Sequence, residues 1–185
     1  PRPPLPGLGV YPRPGGCGVG ATPASARRAG RLGLPMVLAI IGGQPRQFRS
    51  FVDLYRETGR QAGHAADALQ LGIHSMGFLA DTTAEALATF WPAYHDVYSK
   101  IGSERGWAPP TRAQFDDQAG PHGALVIGGP EAVAEKIIAV NTALGGISRM
   151  TLLLDNRRLS HRQIMRAIEL LGTQVKPRVD AAVGT

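Results

Sequence analysis

Thr22 and Ser25 have the clearest chemical potential in this chain: two hydroxyls three positions apart in the run Gly18-Val19-Gly20-Ala21-Thr22-Pro23-Ala24-Ser25. A short apolar stub ends in glycines, and a helix is expected to start at once with Pro23 in its first turn, a position that needs no N–H. Helix starts present unpaired N–H groups and a partial positive charge, which suits a phosphate. Thr22 and Ser25 would add hydroxyls to that cradle, with the amides around Gly20 and Ala21 assisting. The same spacing also fits a plain N-cap at Thr22 after a glycine turn, with no ligand at all. A second glycine turn, Gly128-Gly129-Pro130-Glu131, has a similar form. There Glu131 sets a carboxylate in the first turn, which answers the helix dipole and repels phosphate, so this turn reads as structural.

Few other side chains invite chemistry. His74 lies in an apolar run beside Ser75. It reads either as a ligand-facing imidazole or as a satisfied structural histidine. His64, His95, His122 and His161 have no cysteine or carboxylate at ligand spacing, so no metal site is expected. Asp155-Asn156 closes the last apolar run and fits either a site lining or a turn. Trp107 and Phe115 fit either a lid over an apolar substrate or packing against the body of the protein. No catalytic residue is assigned.

The elements that must position these residues alternate apolar runs with amphipathic stretches. Residues 1–17 are rich in proline and glycine and should be irregular. Helix is expected over 23–32, strand over 36–41, helix after Pro45 with Phe48, Phe51, Val52 and Tyr55 on one face, and strand over 71–80. Asp81 suits the N-cap of a long helix carrying Leu87, Phe90, Trp91, Tyr94, Tyr98 and Ile101, with Pro92 kinking or restarting it. An excursion over about 103–123 precedes a short strand at 124–127 and a helix with Val133, Ile137 and Val140 inward. The last strand is expected at 150–154. Ser160 and Gln163 form a capping box ahead of Ile164, Ala167, Ile168 and Leu171, with Gly172 as the stop and a frayed tail over 181–185. This rhythm is that of parallel β/α architecture. GxGxxG and P-loop patterns are missing, which favours a barrel over a nucleotide-binding open sheet.

Composition sets the remaining bounds. Hydrophobic residues make up 43% and charged residues 18%, as in a folded globular protein. Apolar runs fall short of the ~20 residues of a membrane helix. Cys17 is the only cysteine, so a reducing cytoplasm is expected. The net charge of +6 comes from scattered basic residues, the densest being Arg27, Arg28, Arg31 and Arg157, Arg158, His161, Arg162. Neither group is interleaved with aromatics, so nucleic acid is not an expected partner.

The ordered segments resemble the luciferase-like flavin-dependent monooxygenases. GVGATPASARRAGRLGLPM (18–36) is similar to that family's flavin-phosphate loop, helix and following strand. The resemblance continues through Ala39 to Gly43, His74-Ser75-Met76-Gly77-Phe78, Phe90-Trp91-Pro92, Thr111 to Phe115, Ile127 to Ile137, and Ala167 to Gly172. It implies an α/β fold of the (β/α)8 TIM-barrel type, of which residues 18–180 would be the carboxy-terminal half. It also implies reduced FMN, or a deazaflavin in one branch, with its phosphate on Gly20, Ala21, Thr22 and Ser25. Oxygen and a small organic molecule would be the co-substrates, and a homo-oligomer or a partner would supply the missing barrel half. Ala21 and Ala24 depart from the family's usual glycine and glutamate. The alternatives are a deazaflavin-dependent hydride transfer and a degenerate barrel subunit without catalysis.

Overall fold

The structure is a computed structural model and describes residues 17–19, 22–154 and 158–184, the first three by backbone alone. Among the described residues five parallel strands carry it: β1 (Cys17–Val19), β2 (Met36–Ala39), β3 (Leu71–Leu79), β4 (Val126–Gly128) and β5 (Arg149–Leu153). The α-helices among the described residues are α1 (Pro23–Arg31), α2 (Arg49–Gln61), α3 (Thr83–Arg105), α4 (Arg112–Ala119), α5 (Pro130–Leu144), α6 (His161–Leu170) and α7 (Lys176–Val183). The irregular lead-in expected over 1–17 lies outside the described residues except for Cys17, which opens β1.

Along β1, β2, β3 and β5 the strand order follows chain order, with β4 beside the upper end of β3. β1 pairs with β2, β2 with β3, and β3 with β5. The reversal that marks the switch point of a doubly wound sheet is missing from this path. The carbonyls of Gln70 and His74 receive Met36 and Ile40 N–H from β2, and Ala80 N–H reaches the Gly128 carbonyl next to β4. Those even-numbered positions share one edge of β3, so β4 takes up the edge that β2 leaves. β5 runs along the other edge, where Ser148 N–H donates to the Leu71 carbonyl.

Register sorts the side chains into two unlike faces, because paired residues of neighbouring parallel strands point the same way. Met36, Leu38, Ile40, Leu71, Ile73 and Met150 form one face. Ala26 and Ala29 of α1, Val52 and Tyr55 of α2, and Val140 and Leu144 of α5 cover it as one core. The opposite face carries Val37, Ala39, Gly72, His74, Arg149 and Thr151, with Ala39, Arg149 and Thr151 exposed. Parallel sheets ordinarily have both faces covered. This one is covered on one side only along that stretch. A second core forms at the carboxyl end of β3, where Phe78 and Leu79 meet Phe90, Phe115, Leu125, Val133 and Leu170.

Three contacts lock the helices in place. Gly30 of α1 lies so close to α2 that a Cβ there would sit 2.4 Å from the Tyr55 carbonyl. The Tyr55 hydroxyl donates to the Leu34 carbonyl at 2.8 Å, and burial pushes its pKa up to about 12. Arg56 reaches from α2 to cap the end of α5, donating to the carbonyls of Leu144, Gly145 and Gly146.

Several boundaries differ from the sequence reading. The N-cap of α3 is Thr82, whose Oγ1 accepts from Glu85 N–H, while Asp81 pairs with Arg166 of α6. Pro92 neither breaks nor restarts α3, which ends at a left-handed Gly106 (φ 74°). The expected excursion holds a helix of its own, α4, opened by a capping box between Thr111 and Gln114. In α6 the capping box at Ser160 and Gln163 is present, but Ile168 is 48% exposed and Leu170 is buried in its place. Gly172 is not a stop, because the chain continues through a π turn (Leu171–Val175) into α7. Pro177 lies in the first turn of α7, where it needs no N–H, and Gly184 (φ 77°) supplies the left-handed cap. Residues 181–183, expected as a frayed tail, are the end of that helix.

Candidate functional site

Thr22 stands where β1 hands over to α1, with extended backbone (φ −127°, ψ 141°) as an N-cap requires. Its Oγ1 accepts from Ser25 N–H at 3.3 Å and lies 2.9 Å from Ser25 Oγ. The two hydroxyls predicted to act together are therefore brought together. Thr22 is exposed and Ser25 half-buried. The first turn of α1 contains no acidic residue, and Arg27 and Arg28 follow in the next turn. An anion would meet an uncompensated helix dipole here. Gly20 and Ala21, the other two predicted phosphate contacts, lie outside the described residues, as do Asp155 and Asn156.

The second glycine turn shares the extended cap backbone and differs in its side chains and charge. Gly129 N–H already donates to Thr83 Oγ1 at 3.0 Å, and Glu131 occupies the first turn of α5. This agrees with its structural reading.

The open sheet face lies beside Thr22. Its side chains fall into layers: Val37, Gly72 and Arg149 lowest, then Ala39, His74 and Thr151, then Met76 and Leu153 nearest the carboxyl ends. Ile41 follows Ala39 on that side and is 54% exposed. α3 leans against the upper end, where the Tyr98 hydroxyl sits 3.9 Å from Met76 Sδ and Tyr98 stacks on Tyr94 at 4.4 Å. Burial pushes the Tyr94 hydroxyl up to about 12. Thr151 and Tyr98 were not singled out from the sequence as site residues. The alternation in Arg149-Met150-Thr151-Leu152-Leu153 was the signal available for Thr151.

The remaining candidates separate cleanly. His64 Nε2 pairs with the Arg31 carbonyl at 3.1 Å and its ring covers Gly33, so it is structural. Phe115 is fully buried against Trp91 and Tyr94, whereas Trp107 is 57% exposed beside Arg105. Of the two suggested lid residues, only Trp107 is at the surface. Among the described residues, groups of three or more His, Cys, Asp and Glu able to hold a metal ion are absent. No described helix is long and apolar enough to cross a membrane. A cavity of about 350 Å³ lies among α3, α4 and α5, lined in part by Leu87, Ile127 and Lys136. Lys136 is not free to act there. Its ammonium donates to the carbonyls of Gln118, Ala119, Gly120 and Leu125, and burial pulls its pKa down to about 8.

Fold and site together define a singly wound parallel β/α protein with an anion-suited helix start at the carboxyl end of its first described strand. The family model described as luciferase-like monooxygenase matches residues 2–146, and the chain belongs to that family. No curated protein matches it. Among solved structures it is similar to the monooxygenase RslO1 from Streptomyces bottropensis, with a TM-score of 0.71 and 21% identity over 86% of this chain and 46% of that one. It is also similar to the oxygenating constituent of 3,6-diketocamphane monooxygenase from Pseudomonas putida, solved in complex with FMN (TM-score 0.65, 19% identity, 89% and 48% covered). A third likeness is to the coenzyme F420 dependent tetrahydromethanopterin reductase of Methanopyrus kandleri (TM-score 0.55, 16% identity, 89% and 50% covered). At these identities the likeness establishes the fold. The chain spans about half the length of these proteins.

Proposed function

We propose that this chain is the carboxy-terminal half of a (β/α)8 barrel that holds a reduced flavin and acts on a small organic substrate with oxygen. The start of α1 carries the reading: paired hydroxyls, a carboxylate-free first turn and two following arginines, set at the end of β1 beside an open sheet face. Strands β1, β2, β3 and β5 in chain order, with one face under helices and the other bare, fit a section of barrel wall better than a doubly wound sheet. Barrel enzymes place their sites at the carboxyl ends of the strands, where Thr22 stands.

Thr22 and Ser25 would hold the phosphate, joined on the sequence pattern by the amides of Gly20 and Ala21, and the described hydroxyl pair fits such a group. When bound, a reduced flavin would supply the oxygen chemistry. The chain's own part is to bind the phosphate, orient the ring against the open face and exclude water with the apolar rim of Ile41, Met76 and Leu153. A deazaflavin and hydride transfer form the second reading, supported by the likeness to the F420 dependent reductase. Closing the barrel needs four further β/α units, supplied by additional sequence, a partner or a second copy.

The test is discrimination between FMN and riboflavin by flavin fluorescence. The chain should prefer FMN by about tenfold or more, one charge-assisted phosphate contact contributing roughly 1.5–3 kcal/mol. The double variant Thr22→Ala/Ser25→Ala should lose that preference. A chain that binds neither flavin yet forms a stable complex with a full-length homologue would instead be a non-catalytic subunit.

A further inference from the structure

The open sheet face carries one imidazole in its middle layer. His74 sits in the middle of β3, half-buried, and neither ring nitrogen has a hydrogen-bond partner among the described residues. The ring nitrogens are not among the buried unpaired atoms, so they are open to solvent and accessible to a ligand. His64, by contrast, is already paired with the Arg31 carbonyl. The neighbours of His74 in register are Ala39 on β2 and Thr151 on β5. Both are short side chains, and both are exposed. Nearer the carboxyl ends the same face becomes apolar, with Met76, Leu153 and Ile41. A polar floor under an apolar rim is the usual make-up of a site for a flat heteroaromatic ligand.

Position adds to this. β3 lies two strands from β1, a lateral distance of about 10 Å at the ordinary strand spacing. A ligand with its phosphate at Thr22 and a ring system at the other end of a short chain could reach His74.

We infer that His74, with Thr151 beside it, is the polar anchor for the ring of the bound flavin, hydrogen-bonding a ring carbonyl or ring nitrogen. This rests on the flavin reading above. His74 would then be a binding residue, acting on the ring and indifferent to the phosphate.

That indifference gives the experiment its two arms. The 185-residue chain is titrated with FMN and with riboflavin, following flavin fluorescence, for the native sequence, His74→Ala, His74→Asn and Thr22→Ala/Ser25→Ala, with melting curves for each. His74→Ala should weaken both flavins by the same factor, about tenfold for one lost hydrogen bond to a buried ring. His74→Asn, which keeps a donor and an acceptor, should recover most of that loss. Thr22→Ala/Ser25→Ala should weaken FMN and leave riboflavin unchanged. If His74→Ala shifts neither affinity while the double variant still weakens FMN, the flavin reading stands and the anchor falls. A loss of equal size in the Asn and Ala variants would make His74 a packing residue and also overturn the anchor. If the native chain binds no flavin, the reading falls and the anchor with it.

Discussion

Lys136→Met isolates the free energy held in one buried ammonium. The lysine is 6% exposed, and its side chain ends among the carbonyls of the connection from α4 into β4. Methionine keeps most of the length and removes the charge and donors. The Gln118 and Gly120 carbonyls keep backbone donors in Leu125 and Gly123, so the loss falls on Ala119 and Leu125. Leaving a buried carbonyl unmet costs about 1–3 kcal/mol. Against this, the variant no longer buries a charge. The lowered pKa puts the cost of that charge at about 3 kcal/mol at pH 7, so the two effects nearly offset and the net loss there should be about 1 kcal/mol. The pH dependence is sharper. Burial lowers the folded pKa from 10.5 to about 8, so between those values the unfolded chain binds more protons and stability rises with pH. The contribution is present above 10.5 and lost as pH falls through about 8. At 1.36 kcal/mol for each pKa unit, the native chain should gain about 2–3 kcal/mol from pH 7 to pH 10, and Lys136→Met should not. Urea unfolding followed by tryptophan fluorescence at both pH values gives the difference directly. A cost of the methionine that is the same at pH 7 and pH 10 would refute the reasoning.

Three further outcomes are expected. Gly30→Ala should lower the melting temperature by several degrees, since its Cβ would meet the Tyr55 carbonyl at 2.4 Å and overpacking costs about 1–3 kcal/mol. Arg56→Met should destabilise by about 2 kcal/mol and speed amide exchange at the end of α5, because three carbonyls lose their guanidinium donor. Asp81 is held below the usual carboxylate range by its hydrogen bond to Arg166, so the stability it lends is present at neutral pH and lost on acidification. Arg166→Ala should return the Asp81 titration to its ordinary value, as read by NMR, with α3 intact because its cap is Thr82.

The sequence was most legible where local physics decides. The hydroxyl pair at Thr22 and Ser25 and the capping box at Ser160 are local patterns, and both appear in the structure. The apolar runs became strands within a residue or two of their expected bounds. What escaped notice depended on long-range competition. Asp81 and Thr82 are both good caps, and only the position of Arg166, distant in sequence, takes Asp81 away. Gly172 carries a stop signal, but Val175 is buried and holds the chain helical beyond it. Helix α4 was hidden between the Pro109-Pro110 pair and Gly120-Pro121, although its Thr111–Gln114 box could have exposed it. The sequence left the state of His74 open, since an imidazole's missing partners show only once the facing strands are known.

The two cores meet at a single strand. Leu71 and Ile73 belong to one and Phe78 and Leu79 to the other, while Met150 touches both. Loosening β3 would disturb both at once, because each depends on the same nine-residue stretch staying in register. Heat or denaturant should therefore not dissolve one core and spare the other. Probes at Tyr55 and at Trp91, far apart along the chain, should report a single shared midpoint.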